Sequence, residues 1–320
     1  MNPILVVRDL RKYFPKAQQP FRGAGEVLRA VDGVSFTIQK GDTLGLIGES
    51  GCGKSTTARL ILRLVEPTAG EVIFDGSPVF QIPRKEMRRL RRRMQIIFQD
   101  SFSSLNPRLT VEEIVGEGIE IHGLARGQEK RDRIASLLEK VGLDSEQMGR
   151  YPDELSGGQR QRVGIARALV VSPELIVADE PIASLDVSTQ AQVINLLKDL
   201  QAEFHLTYLF ITHDLRVVEQ FCSHVAVMYL GRIVEMADTQ AFFSDPLHPY
   251  SQALLSAVPI PDPETKRTRI VLSGELPSAS QPPAGCHFHP RCPKTFDPCP
   301  DKEPSLREVK AGHWVSCHLY

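Results

Sequence analysis

The run GESGCGKST at residues 48–56 brings together residue types that bind phosphate. It fits the pattern G-x-x-x-x-G-K-[ST], with Gly48, Gly53, Lys54 and Ser55 at the fixed positions. Glycines let the backbone curl so that several N–H groups point at one anion, and the lysine adds a positive charge. The serine hydroxyl is a ligand for Mg²⁺. We therefore expect this loop to bind the phosphates of a nucleotide.

Two acidic residues, Asp179 and Glu180, follow the apolar run 175–178. Such a run predicts a buried parallel strand, and α/β sheets bind their ligands at the carboxyl ends of these strands. At this position one carboxylate is suited to hold Mg²⁺ and the other to activate a water molecule. The pair therefore predicts hydrolysis of the bound nucleotide.

Three further segments place polar residues beside predicted strands or helices. LSGGQ at residues 155–159 opens a helical pattern, so its serine and glycines lie at a positive helix end. Gln99 follows the apolar run 96–98, and His213 follows the apolar run 208–211. Strands that alternate with helices in this way predict an α/β fold.

With these motifs in this order, the chain resembles the nucleotide-binding subunits of ABC transporters over residues 4 to 240. Walker A, a Q-loop glutamine, LSGGQ, Walker B, the D-loop at 184–186 and a switch histidine are all present. The resemblance implies a P-loop ABC-type nucleotide-binding domain over residues 1–245, with a helical subdomain at about 100–172. It also implies an ATPase.

The resemblance assigns Ser55, Gln99 and Asp179 to Mg²⁺ and makes Glu180 the catalytic carboxylate. His213 would contact the γ-phosphate and hold Glu180 in place. Phe14, with Tyr13 as the alternative, would stack on adenine. The residues expected to contact ATP, or to communicate with it across a dimer, are Phe14, Gly48, Ser50, Gly51, Gly53, Lys54, Ser55, Thr56, Asp179, Ser156, Gly157, Gly158, Gln159 and Asp186.

In this family the LSGGQ helix faces the nucleotide of the other subunit. One chain would then hold two half-sites, and catalysis would need a head-to-tail dimer that closes around ATP. The partner would be a related or identical ABC ATPase.

The composition changes near residue 245. Thirteen of the 23 prolines and four of the six cysteines lie beyond it, which predicts an irregular Pro/Cys-rich extension over residues 246–320. Four thiols in a segment with little apolar core suggest a metal that replaces hydrophobic packing. A [4Fe–4S] cluster and Zn²⁺ are both open, since histidines lie beside the cysteines, and an empty site is a third alternative. The four are Cys286, Cys292, Cys299 and Cys317.

The extension resembles that of dipeptide/oligopeptide importer ATPases in three segments, at 246–255, 272–278 and 285–286. Some members of that subgroup carry a four-cysteine [4Fe–4S] cluster there. The resemblance implies a peripheral protein on the cytoplasmic face of the inner membrane, with two transmembrane permease subunits and, indirectly, an extracytoplasmic solute-binding protein. Because the cassette has a core of its own, we expect loosening of the extension to leave ATP binding intact.

Charge and hydropathy limit the other function classes. The net charge is −1, so no global basic field attracts nucleic acid, and no apolar run approaches the ~18 residues of a membrane span. The basic run 84–93 is interpreted as a solvated helical face and Pro15–Leu28 as a mobile surface loop. The alternatives are a soluble ABC ATPase and a metal-bearing redox-sensing regulatory module.

Overall fold

The computed structural model describes residues 3–15, 27–100, 104–258 and 270–320. Most of the predicted loop Pro15–Leu28 lies outside the described residues, while its ends belong to strands. The chain divides into two compact units. The first holds residues 39–42 and 81–211, and the second holds the remaining described residues.

The element bounds follow in chain order. The helices are α1 (Lys54–Ile61), α2 (Arg84–Arg93), α3 (Val111–His122), α4 (Gly127–Lys140), α5 (Gly157–Leu169), α6 (Val187–Phe204), α7 (Leu215–Phe221), α8 (Thr239–Ser244) and α9 (Pro249–Ser256). The strands are β1 (Pro3–Pro15), β2 (Val27–Gln39), β3 (Thr43–Ile47), β4 (Ala69–Phe74), β5 (Ser77–Pro78), β6 (Met94–Ile97), β7 (Leu175–Asp179), β8 (Thr207–Ile211), β9 (His224–Tyr229), β10 (Arg232–Asp238), β11 (Arg307–Lys310) and β12 (His313–Val315). None of the helices within the described ranges combines the length and apolar character that crossing a bilayer requires.

In the first unit, β6, β7 and β8 form a parallel array with β7 in the middle. Every residue of β7 and β8 is buried, as the apolar runs predict. The predicted helical segment at 100–172 contains α3, α4 and α5. Thr110 begins α3 with a capping box to Glu113, and Gly142 follows α4 with φ 74°.

In the second unit, β3 pairs in parallel with β9, and β9 pairs antiparallel with β10. The array continues through β12 to β11, so the C-terminal extension contributes two strands to it. A separate antiparallel sheet has the order β2–β1–β4–β5. The extension is otherwise mostly irregular, as its proline content predicts. The predicted boundary between residues 245 and 246 stays a prediction, and both sides of it lie in this unit.

Helix α1 begins at Lys54, because Gly53 adopts φ 110° and turns the chain directly into the helix. One predicted strand differs from the structure at its end. Strand β6 ends at Ile97, so Phe98 lies outside it and its side chain is exposed. The basic run forms α2 as expected, with only Met87 and Leu90 buried.

Candidate functional site

The glycine-rich loop at 48–56 connects β3 to α1 in the second unit. Gly48 and Gly53 have φ of 150° and 110°, a region that side chains rarely adopt. A Cβ on Gly48 would lie 2.2 Å from the carbonyl oxygen of Met228, and one on Gly53 would lie 2.1 Å from that of Ala30. Neither position accepts a side chain without a backbone shift, so the prediction that glycines shape this loop is confirmed.

Lys54 turns its side chain back into the loop. Its Nζ donates to the carbonyl oxygens of Gly48 at 2.8 Å and Glu49 at 3.0 Å. The residue is only 5% exposed, so the ammonium is held inside the curl of the backbone. A fixed positive charge beside backbone N–H groups is suited to a polyphosphate.

The remaining loop residues surround this charge. Ser50 and Gly51 are exposed at the tip, whereas Ser55 and Thr56 are half-buried in the first turn of α1. The positive end of α1 therefore lies at the loop, as anion binding requires. The structure thus brings together all the predicted residues of the glycine-rich loop.

Two aromatic residues near the end of β1 differ in their contacts. The Tyr13 hydroxyl donates to Asp32 Oδ1 at 2.5 Å. The Phe14 ring has only the Lys12 ammonium near it among its described ring contacts, at 4.8 Å from the centroid. Because Tyr13 is tied to a carboxylate, the structure favours Phe14 as the candidate for adenine stacking.

In the first unit, Asp179 and Glu180 stand at the carboxyl end of β7. Asp179 is 5% exposed, and Glu180 has φ 48°, a conformation that is uncommon for a residue with a side chain. The Glu180 N–H donates to the Ile211 carbonyl at 2.9 Å, and Gln99 Nε2 donates to Glu180 Oε2 at 3.1 Å. Backbone strain of this kind clusters at functional sites. Because it donates to Oε2, the Gln99 amide orients the Glu180 carboxylate. The sequence did not predict this hydrogen bond.

The LSGGQ segment forms the N-terminus of α5. Ser156 Oγ accepts from the Gln159 N–H at 3.3 Å, and Gln159 Oε1 accepts from the Ser156 N–H at 2.9 Å. This reciprocal pair is a capping box, which fixes the first turn of the helix. Ser156 is exposed, and Gly157 and Gly158 are half-buried. The predicted helix N-terminus is confirmed, and its first residues lie at the surface.

Asp186 of the D-loop caps α6. Its carboxylate accepts from the Thr189 N–H at 2.9 Å and from the Thr189 hydroxyl at 2.7 Å. The hydrogen bonds from Ser188 and Thr189 lower the pKa of Asp186. A Cβ on Gly158 would lie 2.7 Å from Thr189 Cγ2, so the D-loop cap contacts the α5 N-terminus.

His213 lies in the second unit, immediately before the residue that caps α7. It is exposed, and the following Asp214 accepts from the Arg216 N–H at 3.0 Å. Its predicted contacts with the γ-phosphate and Glu180 stay predictions.

The four cysteines of the extension are neighbours. The Cys286 N–H donates to the Cys299 carbonyl at 2.8 Å, and Cys299 and Cys317 are 6% and 9% exposed. Burial raises the pKa of Cys286 to about 11, and the nearby thiols of Cys299, Cys317 and Cys292 act in the same direction. Across the part of the chain that the structure describes, no three His, Cys, Asp or Glu residues are grouped to hold a metal ion. The thiols are neighbours, but the described residues do not form a ready metal site, so both the [4Fe–4S] cluster and Zn²⁺ stay predictions.

A buried carboxylate that the sequence analysis missed anchors the extension. Glu235 on β10 is fully buried and accepts from the N–H groups of Leu247 and His248, both at 2.8 Å. His313 Nε2 lies 2.7 Å from the same carboxylate. A charged residue inside the otherwise apolar stretch 233–237 was the one available signal, because its partners lie 12 to 78 residues away.

A second missed contact joins the extension to the glycine-rich loop. Both terminal nitrogens of Arg291 donate to the Glu49 carboxylate, at 2.9 and 3.1 Å. The Glu49 N–H donates to the Tyr250 hydroxyl at 2.9 Å. Glu49 occupies a variable position of the phosphate-binding pattern, so the motif gave no reason to select it.

Known proteins match both parts of the chain. The family model described as ABC transporter matches residues 31–183, and the one described as Oligopeptide/dipeptide transporter, C-terminal region, matches residues 234–299. The oligopeptide transport ATP-binding protein AppF of Bacillus subtilis (strain 168) is 51% identical over 321 residues, which cover 99% of this chain and 97% of AppF. The chain belongs to the ABC transporter ATP-binding proteins.

Further similarity supports the fold and activity of this ABC protein. The probable peptide ABC transporter ATP-binding protein y4tS of Sinorhizobium fredii is 50% identical over 99% of this chain and 90% of its own length. The ATP-binding cassette MJ0796, in a dimeric post-hydrolysis state with ADP and Pi, matches with a TM-score of 0.66 and 30% identity. That match covers 73% of this chain and 98% of MJ0796. The fold is therefore an α/β ABC cassette, and the activity is ATP hydrolysis.

Proposed function

We propose that this ABC ATPase powers the import of peptides through separate membrane subunits. The observation that carries the proposal is that one chain joins the cassette to the C-terminal region named for oligopeptide/dipeptide transporters. The similarity to AppF extends through both parts. A soluble ABC ATPase or a redox-sensing module would leave this combination unexplained.

Phosphate binding falls to the glycine-rich loop. Its N–H groups and Lys54 hold the β- and γ-phosphates, with the α1 dipole oriented toward them. Ser55, Gln99 and Asp179 supply hydroxyl, amide and carboxylate oxygens, which are the donors that Mg²⁺ prefers. The ion, when bound, neutralises phosphate charge. Phe14 stacks on the adenine ring.

Glu180 accepts the proton of the attacking water. The Gln99 amide donates to one carboxylate oxygen at 3.1 Å, and this bond orients the carboxylate for its action on the water. His213 contacts the γ-phosphate and keeps Glu180 in place. Gln99 and His213 thus position the Glu180 carboxylate, and Glu180 alone takes the proton.

The α5 N-terminus serves the nucleotide of the opposite subunit. Its capping box fixes Ser156 and Gln159 through hydrogen bonds between these two residues, and its first residues lie at the surface. A preformed positive helix end at the surface is suited to the γ-phosphate of a neighbouring subunit. The partner is a related or identical ABC ATPase, and Asp186 links the two halves.

Dimer closure is tested with a charge at Gly157. A Cβ there meets Leu185 Cδ2 at 3.7 Å, an ordinary contact, and a carboxylate in the first turn stabilises a helix. Gly157→Asp should therefore fold and bind ATP as one subunit but fail to form ATP-dependent dimers, because the carboxylate repels the γ-phosphate. Gly157→Ala is the control, and size-exclusion chromatography of both variants in a Glu180→Gln background is the measurement. If Gly157→Asp formed as much dimer as Gly157→Ala, the head-to-tail arrangement would be contradicted.

The assembled importer has two permease subunits, and the solute-binding protein contacts this chain only through them. The ATPase then lies on the cytoplasmic face of the inner membrane as a peripheral subunit. Co-purification of the complex, followed by ATPase assays in nanodiscs with and without a peptide-loaded solute-binding protein, tests the proposal. Stimulation by the loaded receptor is expected. An ATPase that ignores the receptor and instead responds to ribosomes or DNA would favour a soluble ABC protein.

For the extension we propose a [4Fe–4S] cluster on Cys286, Cys292, Cys299 and Cys317. The mutual proximity of the four thiols supports it, and cysteine thiolates are the ligands of such clusters. A cluster bound to the four thiolates would stabilise a segment with little apolar core. Anaerobically purified protein should be brown and contain about four iron atoms per chain. About one zinc per chain would favour the Zn²⁺ alternative. If the protein contained neither iron nor zinc, the proposal of a metal site would be wrong.

A further inference from the structure

Every polar group of Glu49 takes part in a hydrogen bond. Its carbonyl accepts from the Cys52 N–H at 3.3 Å and from the Lys54 ammonium at 3.0 Å. Its N–H donates to the Tyr250 hydroxyl at 2.9 Å, and its carboxylate receives two bonds from Arg291. The carbonyl side of this residue therefore faces the loop, while its N–H and carboxylate are held by the extension.

The two residues that hold Glu49 are themselves fixed. Tyr250 is fully buried, with its ring 4.8 Å from that of Tyr229 and 5.5 Å from that of Phe288. The Arg291 side chain is only 9% exposed, and its guanidinium lies 5.9 Å from the Tyr229 ring. Because aromatic packing locks both groups, they act on the loop as a rigid support.

We propose that Arg291 and Tyr250 are positioning residues for ATP binding, which act through Glu49 on the glycine-rich loop. They fix the Glu49 backbone, and its carbonyl in turn holds the Lys54 ammonium at the place where the phosphates bind. A loop that is already ordered binds its ligand more tightly than one that must be ordered by it. The C-terminal extension thereby sets the ATP affinity of the cassette. This inference rests on the proposed phosphate-binding role of the loop.

The pair is tested by a double-mutant cycle on the full chain. Arg291→Met keeps the length of the side chain and Glu49→Gln keeps its shape, and each should weaken the binding of a fluorescent ATP analogue about tenfold. The double variant should be no weaker than either single one, because the residues act as one unit. Tyr250→Phe removes only the hydroxyl and should weaken binding about threefold.

Controls separate positioning from general stability. Lys310→Met changes another residue of the extension, removes its exposed ion pair with Asp245 and should leave the ATP affinity unchanged. Arg291→Lys keeps the charge without the two-pronged geometry and should recover part of the loss. In the assembled complex, KM for ATP should rise for Arg291→Met while kcat at saturating ATP stays the same, a split that a merely unstable protein would not give.

Three results would each count against one of two conclusions. If the wild type binds the ATP analogue and Arg291→Met binds it equally well or more tightly, the positioning role is wrong. Additive losses in the double variant would also overturn it, because the residues would then act separately. If the wild type itself fails to bind ATP, the proposed phosphate-binding role of the loop is wrong instead.

Discussion

The α5 N-terminus in the first unit and the glycine-rich loop in the second are held in place in opposite ways. In the first unit, Ser156 is paired with Gln159 and Asp186 with Thr189, each three residues apart. In the second unit, the decisive pair of Glu49 and Arg291 is separated by 242 residues. Local caps form with their own helix, whereas the loop depends on the folded extension.

This difference changes what a substitution should do. A change in a local cap affects one helix end, but a change in the extension reaches the loop through Glu49. The expectation that a loosened extension leaves ATP binding intact no longer follows, because Tyr250 and Arg291 hold a residue of the loop. We therefore expect a lesion at Glu180 to alter turnover, and a lesion in the extension that reaches Glu49 to alter ATP affinity.

The largest effect is expected at Glu180. Glu180→Gln keeps an oxygen that accepts from Gln99 but loses the carboxylate that takes a proton, so turnover should fall at least about 100-fold. ATP affinity should stay the same, because the phosphate-binding loop is untouched. Single-turnover hydrolysis and equilibrium binding of ATP in the assembled complex measure the two quantities.

Glu174→Gln is the matched control for this prediction. Glu174 precedes β7, just as Glu180 follows it, and its carboxylate pairs with Arg93 and Lys40. Its loss should leave the rate nearly unchanged. If both variants hydrolyse ATP at the wild-type rate, the catalytic role of Glu180 is wrong. If Glu180→Gln also loses ATP binding, the separation between turnover and affinity fails.

The sequence predicted most of the first unit because its rules are local. The buried strands β7 and β8 and the helix start at Ser156 each follow from residues a few positions apart. The bond between Gln99 and Glu180 was not predictable, since it requires the pairing of β6 with β7 and the positive φ of Glu180. In the extension, a proline-rich pattern predicted irregular chain but could not reveal which distant residues it would contact.

The next largest effect is expected at Glu235. Glu235→Ala leaves His313 and two backbone N–H groups without their buried acceptor, so the second unit should lose about 3 kcal/mol of unfolding free energy. Because this anchor holds the residues before α9, the ATP affinity should fall as well. Denaturant unfolding and ATP-analogue binding measure the two losses.

Asp245→Ala is the control for Glu235→Ala, since it breaks an exposed ion pair with Lys310 near the same junction. Such pairs contribute at most about 1 kcal/mol. Reduced stability with unchanged ATP affinity in Glu235→Ala would show that the extension supports the fold without acting on the loop. Unchanged stability would show that the three hydrogen bonds contribute nothing net.

The smallest effect concerns pH. Burial lowers the pKa of His248 to about 4, below the ~6.5 of an unfolded chain. Between these values the unfolded chain binds more protons, so stability from this group falls as the pH falls from about 6.5 to 4. At pH 5 the loss should reach about 2 kcal/mol. Unfolding curves at neutral pH and at about pH 5 measure it for the wild type and for His248→Asn.

The variant isolates His248 because asparagine can still cap α9. The native ring accepts from the Tyr250 N–H at 3.1 Å, and an amide oxygen can take that bond without titrating. Burial also lowers the pKa of His287 to about 4, but this group is present in both proteins and cancels in the difference. His248→Asn should therefore lose less stability on acidification than the wild type. Equal losses would mean that His248 is protonated in the folded protein as readily as in the unfolded chain, and the extension would then not exclude water at this junction.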